Sequence, residues 1–168
     1  MNEKSIIVDN EDNPIGTNDR VEIGPEDIYR VSALWVVNFK HQILLAKRNK
    51  DKKNDPGKWG PAVSGTVAQG EEYIDNIVKE TQEEIGIDLR KYNFKEIDKI
   101  RVPNVKHNFF CQWYLLKENL DISKLIIQKE EVDEVIWINK DEFEKKLTLN
   151  PQEYTISMPE HFTVLKKY

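Results

Sequence analysis

The stretch from Gly65 to Ile87, GTVAQGEEYIDNIVKETQEEIGI, constrains this chain more than any other. Its second half carries Glu80, Glu83 and Glu84 at i, i+3 and i+4, so in a helix the three carboxylates rise from one face about one turn apart. Like charges at that spacing repel, by on the order of a few tenths of a kcal/mol per pair, unless a cation neutralises them. A divalent metal is the natural neutraliser, and an all-oxygen donor set suits Mg²⁺, Mn²⁺ or Ca²⁺. Ile74, Ile77, Val78, Thr81 and Ile85 form a largely apolar stripe on another face, predicting a helix anchored on a core. Gly86 stands where a C-cap glycine ends such a helix.

Read as a spacing, the stretch is Gly, five residues, Glu, seven residues, Lys-Glu, two residues, Glu-Glu, one residue, Gly and an aliphatic residue. That pattern resembles the signature of the Nudix hydrolases, with Gly65, Glu71, Glu80, Glu83, Glu84, Gly86 and Ile87 in register. Two positions depart. Lys79 stands where the family has arginine, and Thr81 where it has an aliphatic residue. The resemblance implies that Lys79 pairs with Glu71, as the family's arginine does, though with one point charge in place of a planar fork. Thr81 keeps the branched shape, and its hydroxyl can bond back to the helix.

What the resemblance implies for fold is an α+β Nudix domain, a mixed sheet sandwiched between helices (α/β/α). The predicted strands and helices, which do not alternate regularly, agree with an α+β or layered class. At 168 residues the chain is one domain's worth, read as a single Nudix domain over 1–168 with a short N-terminal hairpin extension. No apolar run approaches the roughly 18 residues of a membrane span, and MNEKSIIVDNEDN lacks the apolar core of a signal peptide. With a single cysteine, Cys111, no internal disulfide can form, and a cytoplasmic location is expected. The net charge of −5 argues against an extended nucleic-acid surface.

In chain order, Ser5 to Val8 and Pro14 to Gly16 flank a turn-rich NEDN, predicting a hairpin, and the next twelve or so residues read as loop. Tyr29 to Asn38 and Ile43 to Ala46 read as strands joined by a turn at Lys40-His41. The following loop, KRNKDKKNDPGKWG, gathers Lys47, Arg48, Lys50, Lys52, Lys53 and Lys58. Such a cluster beside a carboxylate site is what a diphosphate needs, because Lys and Arg neutralise the oxygens that a metal does not reach. Arg48, close to a strand end, and Lys52 are the substrate-binding candidates. Trp59 is a third, since its ring can stack on a base, although packing in the core is the commoner fate. Pro61 to Ser64 reads as the strand that leads into the box.

Beyond the box, Phe94 to Val102 and Asn108 to Leu116 read as strands, the second apolar on both faces and therefore central and covered twice. Val132 to Ile138 follows Glu130 and Glu131. In many Nudix enzymes a glutamate outside the box serves as base or extra ligand, and Glu131 is the candidate taken from that pair. Asn139 and Glu142 read as a capping box with Ile138 and Phe143 as its staple, and Ser157-Met158-Pro159-Glu160 as the start of a C-terminal helix. His41, His107 and His161 are scattered without metal spacing and take no role.

The resemblance implies a Mg²⁺- (or Mn²⁺-) dependent pyrophosphohydrolase acting on a small-molecule diphosphate, a nucleoside diphosphate linked to another group. Glu80, Glu83 and Glu84 are the expected metal ligands, and with Glu131 the expected catalytic carboxylates. Gly65, Glu71, Lys79 and Gly86 are the structural residues of the motif. The KR-x-K…PG-x-W text looks like the subgroup related to isopentenyl-diphosphate isomerase. The isomerase needs a cysteine just before the box glycine and a histidine just after it, where this chain has Ser64 and Thr66, chemically poor substitutes. Two alternatives therefore stand beside hydrolysis: a catalytically weak module that binds a nucleotide or metabolite, and, less favoured, the isomerase. A homodimer is the commonest oligomer for such a chain.

Overall fold

A computed structural model describes residues 3–103 and 108–168; His107 lies outside them. Two short strands, β1 (Lys4–Val8) and β2 (Pro14–Asp19), form the N-terminal hairpin. Asp12 in its turn takes a left-handed φ of 65°. Its carboxylate accepts Arg30 Nε at 2.7 Å, Lys99 Nζ at 2.6 Å and the Tyr73 hydroxyl at 3.0 Å, which fastens the hairpin to the body of the domain. The loop to the next strand is shorter than expected, because Thr17 to Asp19 find partners in β1 and extend β2.

The sheet is organised on β3 (Ile28–Val37). One of its edges runs parallel to β8 (Asn108–Lys117) along its length, from Tyr29 opposite Phe109 to Val37 opposite Lys117, and β7 (Phe94–Pro103) lies antiparallel beyond β8. The other edge is divided between β1, β6 (Val63–Thr66) and the hairpin into β4 (Gln42–Arg48). β4 then carries β9 (Val132–Asn139) on one side and β5 (Trp59–Pro61) on the other. The single strand expected at Pro61 to Ser64 is therefore two, since residues 59–61 pair with β4 whereas 63–66 pair with β3.

Side chains of a strand alternate between faces, and β3 and β8 are apolar on both. Ala33, Trp35, Val37, Cys111, Trp113 and Leu115 face α2 (Lys140–Leu149) and α3 (Met158–Leu165) in one core. Leu34, Val36, Tyr114 and Leu116 face α1 (Tyr73–Ile85) in another. The result is the expected mixed sheet between helices. The first core is aromatic, with Phe143 and Phe162 edge to face at 4.8 Å and Trp35 and Trp113 at 5.9 Å. Among the described residues no helix is long and apolar enough to cross a membrane.

Three local expectations change. The buried row of α1 is Tyr73, Ile77, Thr81 and Ile85, a strict i+4 line with Asn76 beside it, so Ile74 falls on the solvent side at 49% exposure. Asn139 caps α2 by accepting the Asp141 amide at 3.0 Å, and Glu142, expected to close a capping box, pairs forward with Lys146 at 2.7 Å. Ser157 makes no side-chain cap on α3, its backbone being already helical. Thr81 does bond back, its hydroxyl donating to the Ile77 carbonyl at 2.6 Å.

Candidate active site

The strand β6 delivers the chain to a loop that turns at Gly70, left-handed at φ 87°, and enters α1. Gly86, at φ 74°, ends the helix by donating its amide to the Gln82 carbonyl at 3.2 Å, while the Ile87 amide reaches Thr81. Gly65 is required for a different reason. A Cβ there would lie 2.4 Å from Cγ and Cδ of Glu80, so the Glu80 side chain crosses the strand where only glycine leaves room.

Glu71 is held on both oxygens. Lys79 Nζ is 2.7 Å from Oε1, as the motif implies, and Oε2 accepts the Ala68 amide at 3.1 Å and Asn76 Nδ2 at 3.0 Å. Burial pushes the Glu71 carboxyl up, but these donors outweigh it and leave it below its ordinary value. Lys79 also stands 3.6 Å from Glu80 and 3.9 Å from Glu3 of the N-terminal segment.

The three box glutamates occupy three different environments. Glu83 is exposed, Glu80 is half-buried and Glu84 is 8% exposed. Burial raises the Glu80 carboxyl; Lys79 offsets this and Glu83 adds to it. Burial raises Glu84 well above the usual range, with repulsion from Glu80 and Glu131 in the same direction, and Arg48 and the Ser64 amide in opposition. Among the described residues no three His, Cys, Asp or Glu side chains converge closely enough to enclose a metal ion as they stand. The donor set nevertheless suits a hard cation: its donors are carboxylate oxygens, and the buried Glu84 carries the repulsion of Glu80 and Glu131, which a cation would relieve.

The cations lie across from this cluster. Arg48, at the end of β4, donates Nε to the Asn54 carbonyl at 3.0 Å, and Lys52 forms an ion pair with Glu131. Arg48, Ser64, Glu84 and Glu131 line one small cleft. Beside it opens a cavity of about 650 Å³, rimmed by Arg20, Arg48, Lys52 and Lys53, with Ser64, Gly65 and Thr66 on one side. Its floor is apolar and aromatic, with Val31, Phe109 and Trp113. Trp59 stands elsewhere: it packs against the aromatic core with Lys47 Nζ 5.7 Å from its ring, and it does not line the cavity. Glu130 is exposed.

His161 is a core residue, edge-on to Trp113 at 5.0 Å with Nε2 unpartnered, and burial pushes its pKa down to about 4. His41 takes φ 58° in the β3–β4 turn. Two contributors escaped sequence reasoning. Arg20 sits in a segment read as featureless loop. Asn76 was detectable in principle, as an amide on the buried side of a helix one turn before Glu80.

The NUDIX domain profile matches residues 28–158. A Nudix hydrolase of Listeria monocytogenes is 30% identical over 131 residues, covering 73% of this chain and 70% of the relative. A prenyl-diphosphate phosphatase of Methanosarcina mazei is 29% identical, covering 91% and 89%. In fold, a crystal structure of a Deinococcus radiodurans protein superposes with a TM-score of 0.83 over 94% of this chain and 96% of its own, at 18% identity.

Proposed function

Because the chain belongs to the Nudix hydrolases, enzymes that cleave phosphoanhydride bonds, we propose that it is a Mg²⁺-dependent pyrophosphohydrolase of a nucleoside diphosphate linked to another group. The observation that carries this reading is the anionic cleft of Glu84 and Glu131, next to Glu80, opening beside a cavity with a cationic rim. Glu80, Glu83 and Glu84 would hold the cation, helped by a backbone carbonyl near Ser64. Bound Mg²⁺ (or Mn²⁺) supplies neutralisation of the diphosphate and a lowered pKa for the attacking water.

The remaining work falls to the chain's own groups. Arg48, Lys52 and Lys53 take the phosphate oxygens, Lys52 exchanging its ion pair with Glu131 for the phosphate, and Arg48 is placed for it by its bond to the Asn54 carbonyl. Glu131, across the cleft from Glu84, accepts the proton of the attacking water, with Glu83 as the other carboxylate able to do so. The linked group lies along the apolar floor. The domain acts as one unit over residues 1–168 in the cytoplasm, alone or as a homodimer.

A second reading follows from one observation, the hydrocarbon and aromatic character of that floor: a prenyl diphosphate would fit it, and the Methanosarcina mazei relative is named for such a substrate. Isomerase chemistry is disfavoured, since Ser64 and Thr66 offer neither thiol nor imidazole. The test is turnover with Mg²⁺ across nucleoside diphosphate-linked compounds and prenyl diphosphates, read as phosphate and with isopentenyl isomerisation in parallel. Glu83→Gln should lower turnover by about 10²–10⁴ without changing the melting temperature appreciably. Unchanged turnover in Glu83→Gln overturns the assignment, and ligand-induced stabilisation without product would favour a binding module.

A further inference from the structure

Lys79 can satisfy only part of Glu71. Its ammonium is a single point donor 2.7 Å from Oε1, whereas the second oxygen needs another partner. Asn76 supplies it. This amide is fully buried, at the end of the first turn of α1, and Nδ2 faces three acceptors: Glu71 Oε2 at 3.0 Å, the Thr66 carbonyl at 3.1 Å and Glu80 Oε1 at 3.3 Å. Its oxygen accepts the Ser32 hydroxyl at 2.5 Å. The orientation is fixed by elimination, because turning the amide over would place Oδ1 against three oxygens that cannot donate. A polar side chain in a helix interior normally points to solvent or back to its own helix. Asn76 instead ties β3, β6, the box loop and the metal-side glutamate to one another.

An NH₂ group has two hydrogens, and here three oxygens compete for them. The longest contact is the one to Glu80, whose carboxylate is also 3.6 Å from Lys79. We propose that Asn76 is a positioning residue: with Lys79 it forms a two-residue clamp that grips both oxygens of Glu71 and aims the Glu80 carboxylate over Gly65. Lys79 alone leaves Glu71 Oε2 with the Ala68 amide only, free to swing with the box loop. The pair together does what a forked guanidinium at residue 79 could do alone, so Lys79→Arg should make Asn76 partly dispensable. The part of this inference that concerns Glu80 rests on the metal reading given above; the clamp on Glu71 does not.

The experiment compares wild type, Asn76→Ala, Lys79→Arg and the double variant in two readouts. The first is chemical denaturation in EDTA. The midpoint lost through Asn76→Ala should shrink by at least half in the Lys79→Arg background, whereas a residue that merely fills space would lose the same midpoint in both. Equal losses overturn the clamp. The second is Mn²⁺ affinity followed by the electron paramagnetic resonance of free Mn²⁺, without substrate. Asn76→Ala should weaken binding about tenfold and the double variant should recover most of it, as expected when a partner behind a metal ligand is lost and replaced. Affinity within twofold of wild type in Asn76→Ala overturns the aiming of Glu80. Absence of Mn²⁺ binding by the wild type would count against the metal reading itself, and the denaturation comparison would still decide the clamp.

Discussion

The two sides of the sheet are buried to a similar degree and differ in the polar groups they enclose. Against α2 and α3 the interior is aromatic and hydrocarbon, from Trp35 and Trp113 to Phe143 and Phe162. Against α1 an apolar layer of Leu34, Val36, Ile77 and Ile85 supports, within a few side chains, buried Ser32, Asn76, Thr81 and Glu84. Close packing of apolar groups stabilises without needing exact partners, whereas each buried polar group must be matched or it destabilises. The first three polar groups are matched by hydrogen bonds. Glu84 accepts the Ser64 amide and feels Arg48, but burial and the repulsion of Glu80 and Glu131 outweigh them. One side of the domain thus supplies stability, and the other holds a charge arrangement that folding alone would not favour.

The contrast can be broken most forcefully on the aromatic side. Phe143→Ala should cost about 3–5 kcal/mol in denaturant unfolding, because the ring is wholly buried among Trp35, Tyr154 and Phe162 and its loss leaves a cavity. Turnover per folded molecule should change little; a loss of turnover as large as that of Glu83→Gln would show that the two sides are not separable.

His161 is the exception within the aromatic side, and pH can expose it. Its folded pKa, about 4, lies below the ordinary 6.5, so in that interval the unfolded chain binds the proton and the folded one does not. Its contribution is therefore fully present above pH 6.5 and is lost as the pH falls through 4, on the order of 3 kcal/mol in all. His161→Phe should flatten the acid limb of stability against pH by that amount, and an unchanged limb would mean that the ring is not buried as a neutral group.

The smallest effect is expected on the α1 side, with the opposite sign. In EDTA at neutral pH, Glu84→Gln should stabilise the fold by roughly 1 kcal/mol while turnover is lost. The gain should be absent below the ordinary carboxyl value of 4.5, where the unfolded chain is protonated as well, and should grow as the pH rises. Destabilisation by this variant would contradict the claim that the carboxylate is held against the interest of the fold.

The strands were legible because β3, rich in valine, and β8, rich in aromatic residues and leucine, are long and apolar on both faces, and the helix α1 because Gly86 and a stripe at helical spacing announce it, although the stripe wrongly took in Ile74. The box register also predicted the Lys79–Glu71 pair, a contact between residues of one helix and its entry loop. What could not be read is whatever depends on distant strands meeting. Nothing near Arg20 indicates that its loop borders the cavity, because that depends on where the N-terminal hairpin lies against the sheet, whereas Trp59 takes the commoner of its two readings and packs in the core. The unequal burial of Glu80, Glu83 and Glu84 is likewise a property of what covers the helix, invisible in its spacing.

The Asp12 turn has a further consequence. The hairpin lies outside the stretch that the family profile recognises, yet it carries the anion for Arg30, a guanidinium only 8% exposed. Trimming the protein back to the profile's boundaries would take away that guanidinium's carboxylate partner and remove Arg20 from the rim of the cavity. An appendage by sequence bookkeeping is, by physics, the keystone of one wall.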